Sequence, residues 1–393
     1  MMKRLLLATL VSTIIFSAQA QDIIESNNRF AFDIYKKLSK TDKNLIFSPA
    51  SITSAISMTY TGAKGNTFNE ISNTFYFNKN LSEFNLVYNK LVENYFDKKN
   101  TVKLFNANSL WIQEGLKLNT EFLENNKKFY SSSAHFTDFL LNPEKSRITI
   151  NEWVESNTNN KIKNLLKPSS IDKGTRLVLV NALYFKGAWL TKFNKENNTT
   201  KDFQIKKKEM IKTEFMNNSV SSWYYEDKYC EIVDIPYSNK EISLLIILPK
   251  SYKKTKKLEK KLSYDYYLNY VENKSRKRIQ LALPKFKIES EFDLNEPLNQ
   301  LGIKEAFTMS ANFSGITNDE KLYISKVVHK ANIELDEEGT EAAAATAVVM
   351  RKTTAMPIED VVKFKVNRPF IYMIRNQKTN TIYFVGKILN PNN

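Results

Sequence analysis

The chain is poor in the residues that most enzymes and most small exported domains rely on. Only one of its 393 residues is cysteine, Cys230, so no intramolecular disulfide can form. An exported chain of this size does not need one if its core is large. There are two histidines, His135 and His329, and neither lies in H-E-x-x-H. No G-x-S-x-G elbow and no Walker loop occur. The sequence therefore offers no hydrolytic constellation and no metal site of the usual ligand types. Glycine and proline are scarce, 9 and 10 in all, and no Ser/Gly/Pro-rich break or repeat interrupts the chain. With 42% hydrophobic residues, this excludes tethered modules and argues for one large mixed domain.

Past residue 20, no apolar run is long enough to span a bilayer. Before it, Lys3 and Arg4 precede the apolar stretch Leu5–Phe16, and Ala18-Gln19-Ala20 follows. This pattern predicts a secretory signal peptide over residues 1–20, cut after Ala20. An uncleaved anchor is the alternative. The predicted location is secreted or periplasmic, with residues 21–393 as a single domain. The net charge is +16, and the excess clusters at Lys250, Lys253, Lys254, Lys256, Lys257, Lys260 and Lys261, and again at Lys274, Arg276, Lys277 and Arg278. A solvated charged face is the plain reading of such runs. No aromatic interleaving marks a nucleic-acid-binding module. Cys230, in the alternating stretch Y-C-E-I-V-D-I-P, reads as a small buried hydrophobe.

Helical spacing is seen over Asn27–Leu38, Ser51–Tyr60 (with Ser51 as its cap), Asn66–Phe75, Ser82–Phe96 and Ile148–Ile162. Lys103–Ile112 begins the strands, and the short apolar runs Leu177–Phe185, Ile242–Leu248 and Ile279–Leu283 continue them. Helices early and strands late predict an α+β fold.

The segment Asp336–Met356 reads D-E-E-G-T-E-A-A-A-A-T-A-V-V-M-R-K-T-T-A-M. Alanine content alone favours a helix over Glu337–Met350. Gly339 weakens that reading by adding backbone freedom. The run also has a period of two. Thr340, Ala342, Ala344, Thr346, Val348 and Met350 would share one strand face, and Glu341, Ala343, Ala345, Ala347 and Val349 the other. The first face carries no charge and starts small, as a strand entering a packed sheet requires.

E-E-G-T-E-A-A-A-A-T resembles the reactive-loop hinge of the serpins, the serine protease inhibitor superfamily. The resemblance runs from about Asn27 to Pro391. It includes N-L-I-F-S-P-A-S-I (Asn44–Ile52), N-E-W-V-E-S-N-T-N-N-K-I (Asn151–Ile162), L-V-N-A-L-Y-F-K-G-A-W (Leu179–Trp189), F-S-G-I (Phe313–Ile316), N-R-P-F-I-Y-M-I (Asn367–Ile374) and F-V-G-K-I-L-N-P (Phe384–Pro391). It implies three β-sheets surrounded by about eight to nine helices, with an exposed reactive-centre loop at about 337–362. It implies an inhibitor and not an enzyme. A protease attacks the loop, the loop inserts into the central sheet, and the acyl-enzyme stalls.

The matching residues follow. The hinge is Glu337, Glu338, Gly339, Thr340, Glu341, Ala342, Ala343, Ala344, Ala345 and Thr346. His329 lies on an apolar strand face and reads as a satisfied core residue; it matches a histidine beneath the main sheet. There it joins residues matching Ser48, Ser51 and Asn181 in the shutter, which controls sheet opening. Glu337 and Lys285 match an ion pair at the top of that sheet, the breach, near Trp189; two unrelated surface charges are the alternative. The family's usual count from the hinge puts the scissile bond at Thr353–Thr354, suited to an elastase-like protease. Lys352–Thr353 is the second choice, suited to a trypsin-like one. The segment before N-R-P-F is somewhat long, which leaves that register open by a residue or two.

The implied partner is a target serine protease, with a cysteine protease admitted as a cross-class target. The resemblance also admits a polyanion at Lys250–Lys261, and implies a monomer with no cofactor. A non-inhibitory binding or chaperone-like member is the first alternative and a secreted hydrolase the second.

Overall fold

A computed structural model describes residues 22–85, 88, 102–130, 133–340 and 361–393. Two hydrogen-bonded sheets organise it. The six-stranded sheet contains β2 (Lys103–Gln113), β3 (Ser133–Thr137), β4 (Leu177–Ala188), β10 (Phe286–Asp293), β11 (Lys326–Leu335) and β12 (Gly339–Thr340), in the order β10-β11-β12-β4-β2-β3. The nine-stranded sheet contains β1 (Leu45–Phe47), β5 (Thr199–Lys206), β6 (Glu209–Glu226), β7 (Cys230–Pro236), β8 (Ile242–Pro249), β9 (Ser275–Pro284), β13 (Val361–Lys365), β14 (Phe370–Asn376) and β15 (Ile382–Ile388). Its order is β1-β15-β14-β8-β7-β6-β9-β13, with β5 on β6. The long strand β6 pairs with β9 over most of its length and with β7 at its end, which joins two of the expected sheets into one hydrogen-bonded ribbon. The α+β class and the arrangement of helices around sheets are as expected.

Strand β4 is central. All its residues from Leu177 to Phe185 are buried, and they alternate between two cores. Leu177, Leu179, Leu183 and Phe185 face the main core, while Val178, Val180, Ala182 and Tyr184 face a second one under the helix Pro143–Asn157. A strand covered on both faces needs apolar residues in both phases, which explains the continuous run in its sequence. Each such aliphatic side chain contributes about 1.5–3 kcal/mol by leaving water.

Helix boundaries differ from the sequence expectation for local reasons. The helix Pro49–Tyr60 is capped by Ser48, not Ser51: the Ser48 side chain accepts from the Ser51 backbone N–H, and Pro49 takes the first helical position. The helix expected at Ile148–Ile162 runs from Pro143 to Asn157. Proline starts it early, and Asn159 and Asn160, both at positive φ, end it. Of the helix expected at Asn27–Leu38, the described part is already helical at its first residue, Asp22. Of the helix expected at Ser82–Phe96, residues 82–85 and 88 are helical and the rest lies outside the described residues. Strand β9 extends beyond Ile279–Leu283 in both directions.

The nine-stranded sheet is pinned internally by a fully buried ion pair between Asp234 on β7 and Arg375 on β14. Tyr270 donates to Asp234 at 2.9 Å and Arg375 donates to the Tyr267 hydroxyl at 2.9 Å, which fastens the helix Tyr264–Asn273 to the same pair. Satisfied hydrogen bonds on both partners are what make such a buried pair tolerable.

Candidate functional site

The notable junction in the six-stranded sheet lies between β4 and β11. The two strands run parallel and pair directly from Val178/Lys326 to Tyr184/Asn332. Beyond that point they part, and β12 lies between them, antiparallel to both. Thr340 pairs with Leu335 on one side and Gly187 on the other, and Gly339 pairs with Ala188. The chain reaches this position through a tight turn. Asp336 Oδ1 accepts from the backbone N–H groups of Glu338 (2.9 Å) and Gly339 (3.2 Å).

Gly339 matters sterically, beyond the backbone freedom read from its sequence. Its φ is +151°, and a Cβ there would lie 2.1 Å from the Gly187 carbonyl oxygen and 2.7 Å from Ala188 Cα. No other residue fits so close to β4. Thr340 is fully buried, and its hydroxyl is 2.7 Å from that of Tyr237. The Tyr237 ring stacks on Trp189, centroids 4.6 Å apart and planes within 8°.

The segment after β4 captures the turn. The backbone N–H groups of Trp189 and Phe193 donate to the carbonyls of Glu338 and Glu337, each at 3.0 Å, and Trp189 Nε1 donates to Asp336 O at 2.9 Å. Lys192 forms an ion pair with Glu338. The Glu337 side chain is only 4% exposed. Lys285 Nζ lies 3.0 Å from Glu337 and 2.7 Å from Glu214, and Asn198 donates to both carboxylates. Burial pushes the Glu337 carboxyl upward. Hydrogen bonds from Asn198, from its own backbone N–H and from Lys285 outweigh this and hold it below the usual range.

Beneath the seam is a polar cluster in an apolar setting. His329 and Asn181 are register partners on β11 and β4, and Asn108 on β2 is the next partner along. Ser48, Ser51, Asn181 and His329 are all fully buried. His329 Nε2 accepts from the Ser48 backbone N–H at 3.0 Å, so its proton sits on Nδ1 and is donated to Asn181 Oδ1. The Asn181 amide donates to the Ser51 carbonyl at 2.7 Å and also contacts the Ser51 hydroxyl and Asn108 Oδ1. Burial lowers the His329 pKa to about 3, partly offset by the hydrogen bond to Asn181. A charged imidazolium would set an N–H against the Ser48 N–H.

A family model described as serpin (serine protease inhibitor) matches residues 25–391. The chain belongs to the serpin family. It is 38% identical to human Serpin B4 over 387 residues, covering 93% of this chain and 99% of that protein. Among solved structures, it is similar to Serpin48 of the insect Tenebrio molitor, with TM-score 0.85, 28% identity and coverage of 94% and 98% of the two chains. It is also similar to human thyroxine-binding globulin complexed with thyroxine, with TM-score 0.86, 29% identity and coverage of 95% and 99%. The serpin family includes protease inhibitors and members that do not inhibit.

The structure thus brings together the expected shutter residues Ser48, Ser51, Asn181 and His329, and separately Trp189, Lys285 and Glu337. The hinge residues Glu341–Thr346, the candidate bond residues Lys352, Thr353 and Thr354, and residues 1–20 lie outside the described residues. The sequence reading missed Asn108, Glu214, Asn198, Tyr237 and Lys192. Asn108 carried little signal, because Lys103, Asn106, Ser109 and Gln113 are polar residues of the same strand. The others lie in segments remote from the hinge, where nothing in the sequence marks a contact. Cys230 is buried and its thiol is pushed up to about 12 by that burial, which makes it inert. In the Lys250–Lys261 segment, Lys250 pairs with Glu226 and Lys254 donates to the Lys228 carbonyl. Among the described residues, no helix is long and apolar enough to cross a membrane.

Two outcomes follow for this site. His329 is protonated below about pH 6.5 in the unfolded chain but stays neutral in the folded one down to about pH 3. The unfolded state therefore binds the extra proton, and stability falls as pH drops through that window, by up to about 1.4 kcal/mol per pH unit. Unfolding at about pH 5, 6 and 7 should show a slope roughly one proton shallower in His329→Gln; an equal slope in both proteins would contradict the assignment. Second, Lys285→Met leaves Glu337 buried beside Glu214 with only Asn198 and its own backbone N–H to offset it. Because Lys285 is partly exposed, the expected loss is about 1–3 kcal/mol, local to the turn. Hydrogen exchange should quicken at the Trp189 and Phe193 amides, and unchanged protection would contradict the clamp.

Proposed function

We propose that this serpin is an exported suicide-substrate inhibitor of serine proteases of the trypsin-like or elastase-like type. Export rests on the pattern of Lys3-Arg4, Leu5–Phe16 and Ala18-Gln19-Ala20, with the single domain following. The inhibitory reading rests chiefly on one observation: the first two hinge residues that pair as a strand, Gly339 and Thr340, already lie between β11 and β4 in antiparallel register.

Serpin loop insertion is a known case of strand addition with released strain. The register of β12 specifies what that would mean here. Thr340 opposes Leu335 and Gly187. Six residues further on, the same register would set Thr346 between His329 and Asn181. Its hydroxyl would then enter the polar cluster where those two residues now meet. Thr340 faces the main core, so Ala342, Ala344 and Thr346 would follow it on that face. None is charged and none is proline, so nothing on it would be buried unpaired or lack a ladder donor.

A protease serine would attack the carbonyl of Thr353, or of Lys352, to form an acyl-enzyme. Gly339 to Thr353 is fifteen residues, or roughly 50 Å at strand rise. Insertion would carry the acylated protease that far and distort its active site. Inhibition requires insertion to outrun deacylation, and an insertion site that is already open lowers the barrier to its first step. Non-inhibitory binding is the competing reading within the family.

The test is to mix the protein lacking residues 1–20 with a trypsin-like and, separately, an elastase-like protease. A covalent high-mass band on denaturing gels is expected. A released C-terminal peptide starting at Thr354 would put the cut after Thr353, and one starting at Thr353 would put it after Lys352. Cleavage with no covalent band in every protease tried would overturn the inhibitory reading.

A further inference from the structure

Strands β6, β9 and β13 present one face outward. Arg276 aligns with Trp223, Arg278 with Ser221 and Val361, Gln280 with Ser219 and Lys363, and Ala282 with Asn217 and Lys365. The outward positions of Asn217–Trp223, Arg276–Ala282 and Val361–Lys365 hold four cations and no carboxylate. Arg276, Arg278, Lys363 and Lys365 are all exposed. Elsewhere on the surface, Lys212, Lys250, Lys287 and Lys326 each meet a carboxylate. The patch is also partly pre-ordered. The Arg276 guanidinium lies 4.7 Å from the Trp223 ring centroid, the Lys274 ammonium 5.2 Å from it, and Arg278 Nε reaches Ser219 Oγ at 3.5 Å.

We infer that this face is a docking surface for an acidic patch on the protease held at the reactive bond; the inference rests on the inhibitory reading above. The covalent chain supplies the proximity. Val361, the first residue of β13, is seven residues after Thr354. A fully extended segment of that length spans at most about 25 Å. A protease gripping Lys352–Thr354 is therefore tethered within that distance of the cationic face, and a weak contact there acts at high effective concentration. The composition fits a protein partner better than a sulfated chain. Tryptophan and arginine are the residues most enriched in protein-binding hot spots, and here they stack on one another at the edge of the patch. Cations beside such an anchor speed encounter with an acidic surface and repel a basic one.

The test compares an anionic and a cationic isoform of one trypsin-like protease with the same cleft specificity. At low salt, covalent complex formation is expected to be about tenfold or more faster with the anionic isoform, and the advantage should collapse at high salt. Arg278→Glu with Lys363→Glu should abolish the advantage without reducing the fraction of protease trapped. Lys365→Gln, a milder change on the edge strand, should reduce it in the same direction if the double variant fails to fold. Equal rates for the two isoforms, or a preference that survives both variants, would overturn the docking surface while leaving inhibition intact. A preference seen only when dextran sulfate is added would overturn it in favour of a polyanion site. Docking is also read without acylation, using the anionic isoform with its nucleophilic serine changed to alanine. Binding there that the double variant abolishes supports the surface even if no covalent complex forms; no binding contradicts it.

Discussion

The direct pairing of β4 with β11 is the interaction on which the rest depends. It is a parallel ladder in an otherwise largely antiparallel sheet, and parallel ladders are slightly weaker per residue. A strand entering antiparallel to both would replace one such ladder with two stronger ones. The strand β12 does this already at Gly339–Thr340, where β4 and β11 have parted. The sheet is thus closed by a pairing that a third strand could improve upon.

Two devices bear on whether the seam stays closed. Above it, the turn Asp336–Glu338 is held by backbone hydrogen bonds from Trp189 and Phe193 and by the group Glu337, Lys285, Glu214 and Asn198. Beneath it, His329 bonds Asn181 across the seam and Ser48 at the start of the helix Pro49–Tyr60. The His329 ring nitrogens and the Asn181 amide are satisfied in the closed sheet. Opening the seam would part the His329 Nδ1–H from Asn181 Oδ1 in an apolar setting, a cost of about 1–3 kcal/mol for each of these two groups left without a partner. That penalty opposes opening of the seam, and in the proposed insertion Thr346 is the residue that the register of β12 would bring to it.

Much of this was legible in the sequence. Apolar residues in both phases of Leu177–Phe185, broken only by Asn181, report a strand buried on both faces, and Asn181 and His329, each the one polar residue on an apolar strand face, report partners. In the hinge, Gly339 and Thr340 pair as a strand, and the rest of the alternating run lies outside the described residues. Other features were not legible because they depend on distant contacts. Glu214 and Asn198 join the Glu337 group only because β6 crosses into the same end of the molecule. Ser48 displaces Ser51 as the helix cap because Pro49 favours the first helical position, a local rule that proximity to the apolar run obscured. The steric need for Gly339 is set by Gly187, some 150 residues away in the chain.

The most direct measurement is a crystal structure of the protein after proteolytic cleavage within Arg351–Met356. In that structure β4 and β11 should be separated along their length by a new antiparallel strand. Thr340 should keep its present partners Leu335 and Gly187, and Thr346 should lie between His329 and Asn181. A cleaved protein in which Val178–Tyr184 still pairs directly with Lys326–Asn332 would contradict insertion at this seam.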